Sequence, residues 1–261
     1  MKKFGANFIE KGKNIFISEE LDKDVTLSEI KIWRYMDLCK FFSLWRNDTL
    51  YFCNRKNLAD KRECGIKVYQ KGVQRCGNPF LTFHIVGKNS EYIETKEKLR
   101  AFVNCWSLSD HENYLLWNTY LQKSIGVAIQ TNLQDLINSI TEVPSEAIYI
   151  SKVQYVDSLP LSNDNEQTLF MKHICYKEEN ELRLGILSPN PTAKRIRINP
   201  NTLIEAVYVS PLLETDMQEE LYRFLTSFLS NEGIRYSDII ENKLPIGFIN
   251  KNSLDYENKS I

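Results

Sequence analysis

The chain has 261 residues, of which 43% are hydrophobic and 26% are charged, so length and composition predict an ordinary globular protein with a full core. The formal net charge of −1 excludes a global basic field for nucleic acid, although a local basic groove is compatible with it. No apolar run reaches the length of a membrane span or a signal peptide, so we expect a cytoplasmic protein with no membrane partner. The six cysteines include no C-x-x-C pair, and we expect free thiols and no metal.

Hydrophobic periodicity predicts strands and helices along most of the chain. Residues 1–28 are mixed and charged, which predicts an irregular lead-in. In chain order, strands are predicted at residues 30–36, 48–53, 100–108, 124–130, 147–156 and 202–211. Helices are predicted at residues 37–47, 109–122, 131–140, 163–177 and 216–232.

These elements favour an α+β fold with a mixed or split antiparallel sheet and flanking helices. We expect a single domain over residues 29–245, followed by a polar tail over residues 246–261. Two helices carry capping-box patterns, Ser109 with Glu112 and Thr215 with Gln218. The last helix has an apolar stripe that predicts burial against the sheet, formed by Met217, Leu221, Phe224, Leu225, Phe228 and Leu229.

Charged and apolar side chains alternate in the stretch Y-K-E-E-N-E-L-R-L-G-I-L, residues 176–187. If the stretch is extended, Glu179, Glu181 and Arg183 share one face, because strand side chains alternate with period two. The other face is expected in the core and carries Leu182, Leu184 and Ile186. Two interpretations of the charged face stay open: a solvated strand edge with ion pairs, or a carboxylate pair that lines a solvent-reachable pocket.

Several segments together resemble a large bacterial family of unknown function, through W-x-x-Y…G-V-x-I and K-x-x-x-Y-x-x-E-x-E-x-R motifs. The matching segments are I-W-R-Y-M, L-Y-F-C-N, C-W-S-L-S…L-W-N-T-Y…G-V-A-I, K-H-I-C-Y-K-E-E-N-E-L-R-L and L-I-E-A-V-Y-V-S-P. The resemblance covers roughly Ile32 to Leu244. The family's loop usually reads like N-D-P-x-E, whereas this chain has N-L-A-D-K-R-E without the proline.

The order of three positions is similar, more distantly, to ADP-ribosyltransferases. Those enzymes carry an Arg or His on a first strand, a Ser or Tyr on a second, and a late Glu or E-x-E. This chain offers Arg34, the Cys53–Asn54 position and Glu179-x-Glu181 in that order. The resemblance implies an ADP-ribosyltransferase-like sheet, NAD as a substrate, and one cleft that holds both Arg34 and Glu181.

The resemblance also implies roles for the individual side chains. Glu181 would stabilise the ribosyl cation-like state that forms as nicotinamide leaves, an electrostatic effect worth roughly 3–4 kcal/mol. Glu179 would orient or deprotonate the acceptor nucleophile, and Arg34 would hold the pyrophosphate. Further contacts to the dinucleotide are expected from Tyr35, Cys53, Asn54, Trp117 and Tyr120.

Three functions remain open at this point. The first is an NAD-dependent ADP-ribosyltransferase, a toxin or phage-defence effector that modifies nucleic acid or protein and is restrained by an antitoxin or inhibitor protein. The second is a nuclease with magnesium held by Asp60, Glu63, Glu179 and Glu181. The third is a non-catalytic interaction module that uses the acidic strand as a docking edge.

Overall fold

The strands and helices come from a computed structural model that describes residues 7–12, 14–23, 26–58, 101–122, 124–142, 144–157, 169–190, 192, 194–229 and 233–239. The strands are β1 (Phe8–Glu10), β2 (Ile15–Ser18), β3 (Lys31–Asp37), β4 (Thr49–Asn54), β5 (Ala101–Leu108), β6 (Gly126–Asn132), β7 (Ile148–Lys152), β8 (Gln154–Val156), β9 (Met171–His173), β10 (Glu181–Leu187), β11 (Lys194–Arg197), β12 (Ala206–Val209) and β13 (Ile234–Tyr236). The α-helices are α1 (Glu19–Asp22), α2 (Leu38–Asn47), α3 (Tyr114–Leu121), α4 (Leu133–Ser139), α5 (Pro200–Leu203) and α6 (Thr215–Phe228). Short 3-10 helices span Arg55–Asn57 and Ile174–Glu179.

A large mixed sheet with flanking helices organises the described residues, which confirms the predicted α+β class. Its main path runs β1-β2-β7-β10-β5-β3-β6-β12-β13, and β4 joins it through β5 while β11 pairs with β4. Most neighbours are antiparallel, whereas β2 with β7 and β12 with β13 are parallel. β5 therefore lies between the strand that carries Arg34 and the strand that carries Glu181.

The sheet splits along one edge of β5. Ser107 and Leu108 pair with β3, whereas Phe102 and Val103 pair with β4. Between these contacts, residues 104–106 have no strand partner on that edge in the part of the chain that the structure describes. The separation of β3 from β4 leaves space beside β5, and the candidate site lies there.

β10 lies inside the sheet, antiparallel to β5 on one side and to β7 on the other. Its apolar face is in the main core as predicted, with Leu182, Leu184 and Ile186 fully buried. Its other face is also buried, because the side chains of Glu181 and Arg183 are only 3% and 1% exposed. The solvated-edge interpretation is therefore wrong for these two residues.

The N-terminal segment differs from the predicted irregular lead-in. β2 pairs in parallel with β7 and β1 pairs with β2, so both strands extend the sheet. Ile15 and Ile17 of β2 and Leu21 of α1 are buried in the core. The strand I-F-I-S has only four residues, too few for a periodic signal to stand out from its charged surroundings. The predicted tail over residues 246–261 lies outside the described residues.

The helix predicted over residues 163–177 is wrong where the structure describes it. Residues 171–173 form β9, which pairs with β8, and a 3-10 helix follows over Ile174–Glu179. The His173 side chain accepts the backbone N–H of Cys175, which favours a turn at the end of the strand. Asn180 then ends the 3-10 helix with a left-handed backbone, φ 40°. Glu179 consequently belongs to the turn and not to β10.

Neither predicted capping box caps its helix. α3 begins after Asn113, whose side-chain oxygen accepts two backbone N–H groups of the first turn. α6 begins after Glu214, which makes no side-chain capping hydrogen bond. Gln218 is buried instead, and its amide donates to a backbone carbonyl.

The buried face of α6 is narrower than predicted, and it consists of Gln218, Leu221 and Leu225, followed by Leu229 at the end of the helix. The prediction that Met217 and Phe224 are buried is wrong, because they are 44% and 48% exposed. Phe224 packs edge-to-face on Phe42 with 5.7 Å between ring centres. The side chain of Phe228 lies outside the description. No helix among the described residues is long and apolar enough to cross a membrane.

Candidate functional site

A cavity of about 490 Å³ opens where β3 and β4 separate beside β5. Its volume lies in the range of small-molecule sites, roughly 300–1,000 Å³. Side chains of β3, β4, β5, β11, α2 and α3 line the wall together with the turn that leads into β10. The cavity thus combines elements that are widely separated in sequence.

Three cationic side chains line the cavity, Arg34, Lys40 and Arg195, and are called the basic set below. Arg34 is half-buried, and its guanidinium carbon lies 5.7 Å from the ring centre of Trp106. Burial lowers the pKa of this guanidinium, because partial removal from water disfavours the charged form. Within the described part of the chain, the Arg34 guanidinium has no carboxylate partner. A ligand that carries negative charge would supply the missing partner.

Two carboxylates also line the cavity, Glu179 and Glu181, and with Lys172 and Arg183 they form the carboxylate set. Arg183 holds Glu181 with two parallel bonds, Nε to Oε1 at 2.5 Å and Nη2 to Oε2 at 3.0 Å. Lys172 joins the two carboxylates, with its Nζ 2.8 Å from Glu179 Oε2 and 3.3 Å from Glu181 Oε2. Of the four, only the two carboxylates are wall residues of the cavity.

The local charges determine the ionisation of Glu181. Burial alone would raise the pKa of this carboxyl group, but the charge and hydrogen bonds of Arg183 and the charge of Lys172 together hold the pKa below its ordinary value. Glu181 is therefore ionised at neutral pH. Glu179 is more exposed, with 16% of its side chain accessible against 3% for Glu181.

Residues of β5 and α3 complete this part of the cavity. Ser107 donates to the backbone carbonyl of Glu179 over 2.9 Å, which fixes the turn that presents the carboxylate. The Cys105 thiol hydrogen-bonds to Glu181. Tyr120 is 47% exposed, but the partial removal of its hydroxyl from water and the charge of Glu179 raise its pKa, so Tyr120 remains a neutral group that can donate a hydrogen bond.

The structure brings most of the predicted site residues to this cavity, namely Arg34, Tyr35, Cys53, Tyr120, Glu179 and Glu181. Tyr35 has a structural contact as well, since its hydroxyl accepts the backbone N–H of Asn113 over 2.7 Å. Burial raises the pKa of the Cys53 thiol, which disfavours the nucleophilic thiolate. Asn54 and Trp117 are buried away from the cavity wall, and the indole of Trp117 donates to Glu112.

The chain matches no protein-family model, no curated protein and no solved structure. The resemblance to a bacterial family of unknown function and to ADP-ribosyltransferases therefore stays a prediction from motifs.

The nuclease alternative is not favoured by the described residues. Within them, no three His, Cys, Asp or Glu side chains are grouped so that they could hold a metal ion. Glu179 and Glu181 already share Lys172 as a cationic partner, and Glu181 also pairs with Arg183. The other two residues of that hypothesis, Asp60 and Glu63, lie outside the description.

Sequence reasoning missed several cavity residues, most clearly Cys105, Ser107 and Arg195. It also missed Lys172, which is not a wall residue but bonds to both wall carboxylates. Cys105 and Ser107 lie in the C-W-S-L-S segment, and Lys172 begins the K-H-I-C-Y-K segment, so both motifs carried a usable signal. Arg195 lies in a strand that the periodicity did not predict, and its position follows only from the pairing of β11 with β4.

Proposed function

We propose that the protein is an NAD-dependent ADP-ribosyltransferase and that the cavity beside β5 is its active site. The observation that carries the proposal is the charge pattern of the cavity lining: Arg34, which has no carboxylate partner among the described residues, and two carboxylates, Glu179 and Glu181, line the same cavity. NAD has the complementary pattern, an anionic pyrophosphate and a cationic nicotinamide ring.

In the proposed reaction, Arg34 binds the pyrophosphate oxygens through its planar fork of N–H donors. The bond between the nicotinamide nitrogen and the ribose C1′ breaks, and nicotinamide leaves with the electron pair. Positive charge then develops on the ribose, where a carboxylate that stays ionised gives the largest stabilisation. Glu181 fits this role because Arg183 and Lys172 hold its pKa low.

The second carboxylate completes the transfer. The acceptor nucleophile forms its bond to C1′ and gives its proton to Glu179, which is the more exposed of the two. Lys172 keeps the two carboxylates at a fixed separation through its ammonium group. Tyr120 lines the same wall and offers a neutral hydroxyl to the ribose.

In ADP-ribosyltransferases a second strand carries a Ser or Tyr, and β5 fits the position of that strand better than β4 does. β5 lies between the strands of Arg34 and Glu181, and Ser107 on it lines the cavity. Cys53 was the sequence candidate for that position, but its strand meets β5 at Phe102 and Val103, away from Ser107. We therefore assign the serine position to Ser107. An effector of toxin or phage-defence type, active in the cytoplasm and held by an inhibitor protein, is the biological role that this chemistry would serve.

The test is incubation of the purified chain with adenylate-labelled NAD and, separately, with total cell RNA, DNA or protein. The proposal expects nicotinamide release and label on one of the three acceptors, lost in Glu179→Gln. Glu220→Gln is the matched control, because Glu220 pairs with Arg223 on the exposed face of α6. Failure to consume NAD with all three acceptors present would contradict the proposal.

A further inference from the structure

We infer that the acceptor is a single-stranded nucleic acid and that it binds along the outward face of β4 and β11. This inference rests on the proposed ADP-ribosyl transfer and names the class of molecule that receives the group. The outward face consists of Thr49, Tyr51, Arg195 and Arg197 and is called the acceptor face below.

The register of the two strands places these side chains together. Arg195 is opposite Tyr51 and Arg197 is opposite Thr49, and residues directly opposite each other in an antiparallel pair project to the same side. The alternate residues Leu50, Phe52 and Ile196 are buried in the core. Thr49, Tyr51 and Arg195 line the cavity, so the acceptor face runs from the cavity wall to the surface at Arg197.

The acceptor face is cationic. Within the described part of the chain, neither Arg195 nor Arg197 has a carboxylate partner. Arg195 contacts the Ser43 hydroxyl at 3.4 Å, and Arg197 contacts the Asn47 carbonyl at 3.4 Å. A guanidinium has five N–H donors, so both side chains keep donors for phosphate oxygens. The acceptor face is thus locally positive, although the net charge of the chain is close to zero.

The acceptor face also offers surfaces on which bases stack. Tyr51 is 39% exposed, and the guanidinium carbon of Arg195 lies 5.3 Å from its ring centre. Unpaired bases stack on aromatic rings and on guanidinium planes, and cationic grooves follow their backbone. An acidic peptide would use the two cations but not the exposed ring, which makes a single-stranded nucleic acid the better fit.

The test is fluorescence anisotropy with short labelled single-stranded DNA and RNA oligonucleotides over a range of salt concentrations. We expect binding that weakens with salt, and Arg197→Ala should reduce the slope of log K against log salt by about 0.7. Tyr51→Ala should weaken binding roughly 5- to 150-fold, the range found for one lost stacking contact. Arg223→Ala is the matched control, since it removes the same charge from the exposed face of α6 and should leave binding unchanged.

NAD binding without oligonucleotide is measured in parallel, so that two failures are distinguished. If NAD binds but neither oligonucleotide does, or if Arg197→Ala and Tyr51→Ala bind as the natural chain does, this inference is overturned and the proposed function stands. Transfer of label to an acidic protein instead of the oligonucleotide also overturns it. If the oligonucleotide binds at this face and NAD does not, the nucleic-acid face is supported and the proposed function fails.

Discussion

The two charged sets of the cavity differ in how their charges are satisfied. In the carboxylate set, each of Glu179 and Glu181 has a cationic partner, and Arg183 holds Glu181 in a buried pair. In the basic set, Arg34 and Arg195 have no carboxylate partner among the described residues. The carboxylate set is therefore preorganised and contributes to folding. In the basic set Lys40 pairs with Asp37 at 2.6 Å, whereas Arg34 and Arg195 are available to an anionic ligand. Substitutions in the two sets should separate stability from binding.

The largest effect on stability is expected for Glu181→Gln. The substitution removes the Glu181 charge from the Arg183 guanidinium, which is 1% exposed, and removing one partner of a buried ion pair costs about 3–5 kcal/mol. Arg34→Gln removes a cation that contacts the Trp106 ring and has no carboxylate partner among the described residues, so it should cost only about 0.5–1 kcal/mol of unfolding free energy. Urea denaturation of both variants measures the difference.

A double variant controls this prediction. Glu181→Leu with Arg183→Met replaces the whole buried pair by apolar side chains and should recover part of the loss. Equal destabilisation by Glu181→Gln and Arg34→Gln would show that the two sets do not differ as described.

The next effect comes from the opposite face of β10. Leu184→Ala should cost about 2–5 kcal/mol, because Leu184 is fully buried in the main core. Both charged sets stay in place, so ligand binding at a temperature where the variant is folded should be unchanged. Thermal unfolding and NAD titration on the same sample measure both quantities, and loss of binding by the folded variant would contradict the separation of the two faces.

Lys172→Met should have a smaller effect on stability, about 1.5–3 kcal/mol, the range for a hydrogen bond to a charged group. Glu181 keeps its bonds to Arg183, whereas Glu179 loses the ammonium that holds it at 2.8 Å. Transfer to the acceptor should fall more than NAD binding does. Lys172→Arg, which keeps the charge, should restore part of the transfer. Full transfer by Lys172→Met would show that Lys172 does not position Glu179.

The smallest expected effect is a dependence on pH. The folded-state pKa of Glu181 is lowered, so its contribution to stability is present above the unfolded pKa and is lost as pH falls through the folded pKa. The difference in unfolding free energy between the natural chain and Glu181→Gln should therefore be largest at neutral pH and should decrease in acid. A gap that widens as the pH falls would contradict the low pKa.

The alternation in residues 181–187 predicted the core side of β10 correctly, because one buried face imposes period two on a strand. Period two could not show that Glu179 is on a turn, since the left-handed Asn180 interrupts the strand. It also could not show that the charged face is buried, because Lys172 lies on another strand and meets Glu181 only in the folded chain. The position of β5 between β3 and β10 is a property of strand order, which local periodicity does not encode.

The central claim, that the cavity binds NAD through the Arg34 guanidinium, is tested most directly by calorimetric titration of NAD into the natural chain and into Arg34→Gln. Arg34 has no carboxylate partner among the described residues, so the variant should lose mainly the contact with the Trp106 ring and still fold, and a change in affinity reports the site. We predict saturable binding to the natural chain and at least roughly tenfold weaker binding to Arg34→Gln, the loss expected for one charge-assisted phosphate contact. No binding to the natural chain, or equal binding to both, would contradict the account.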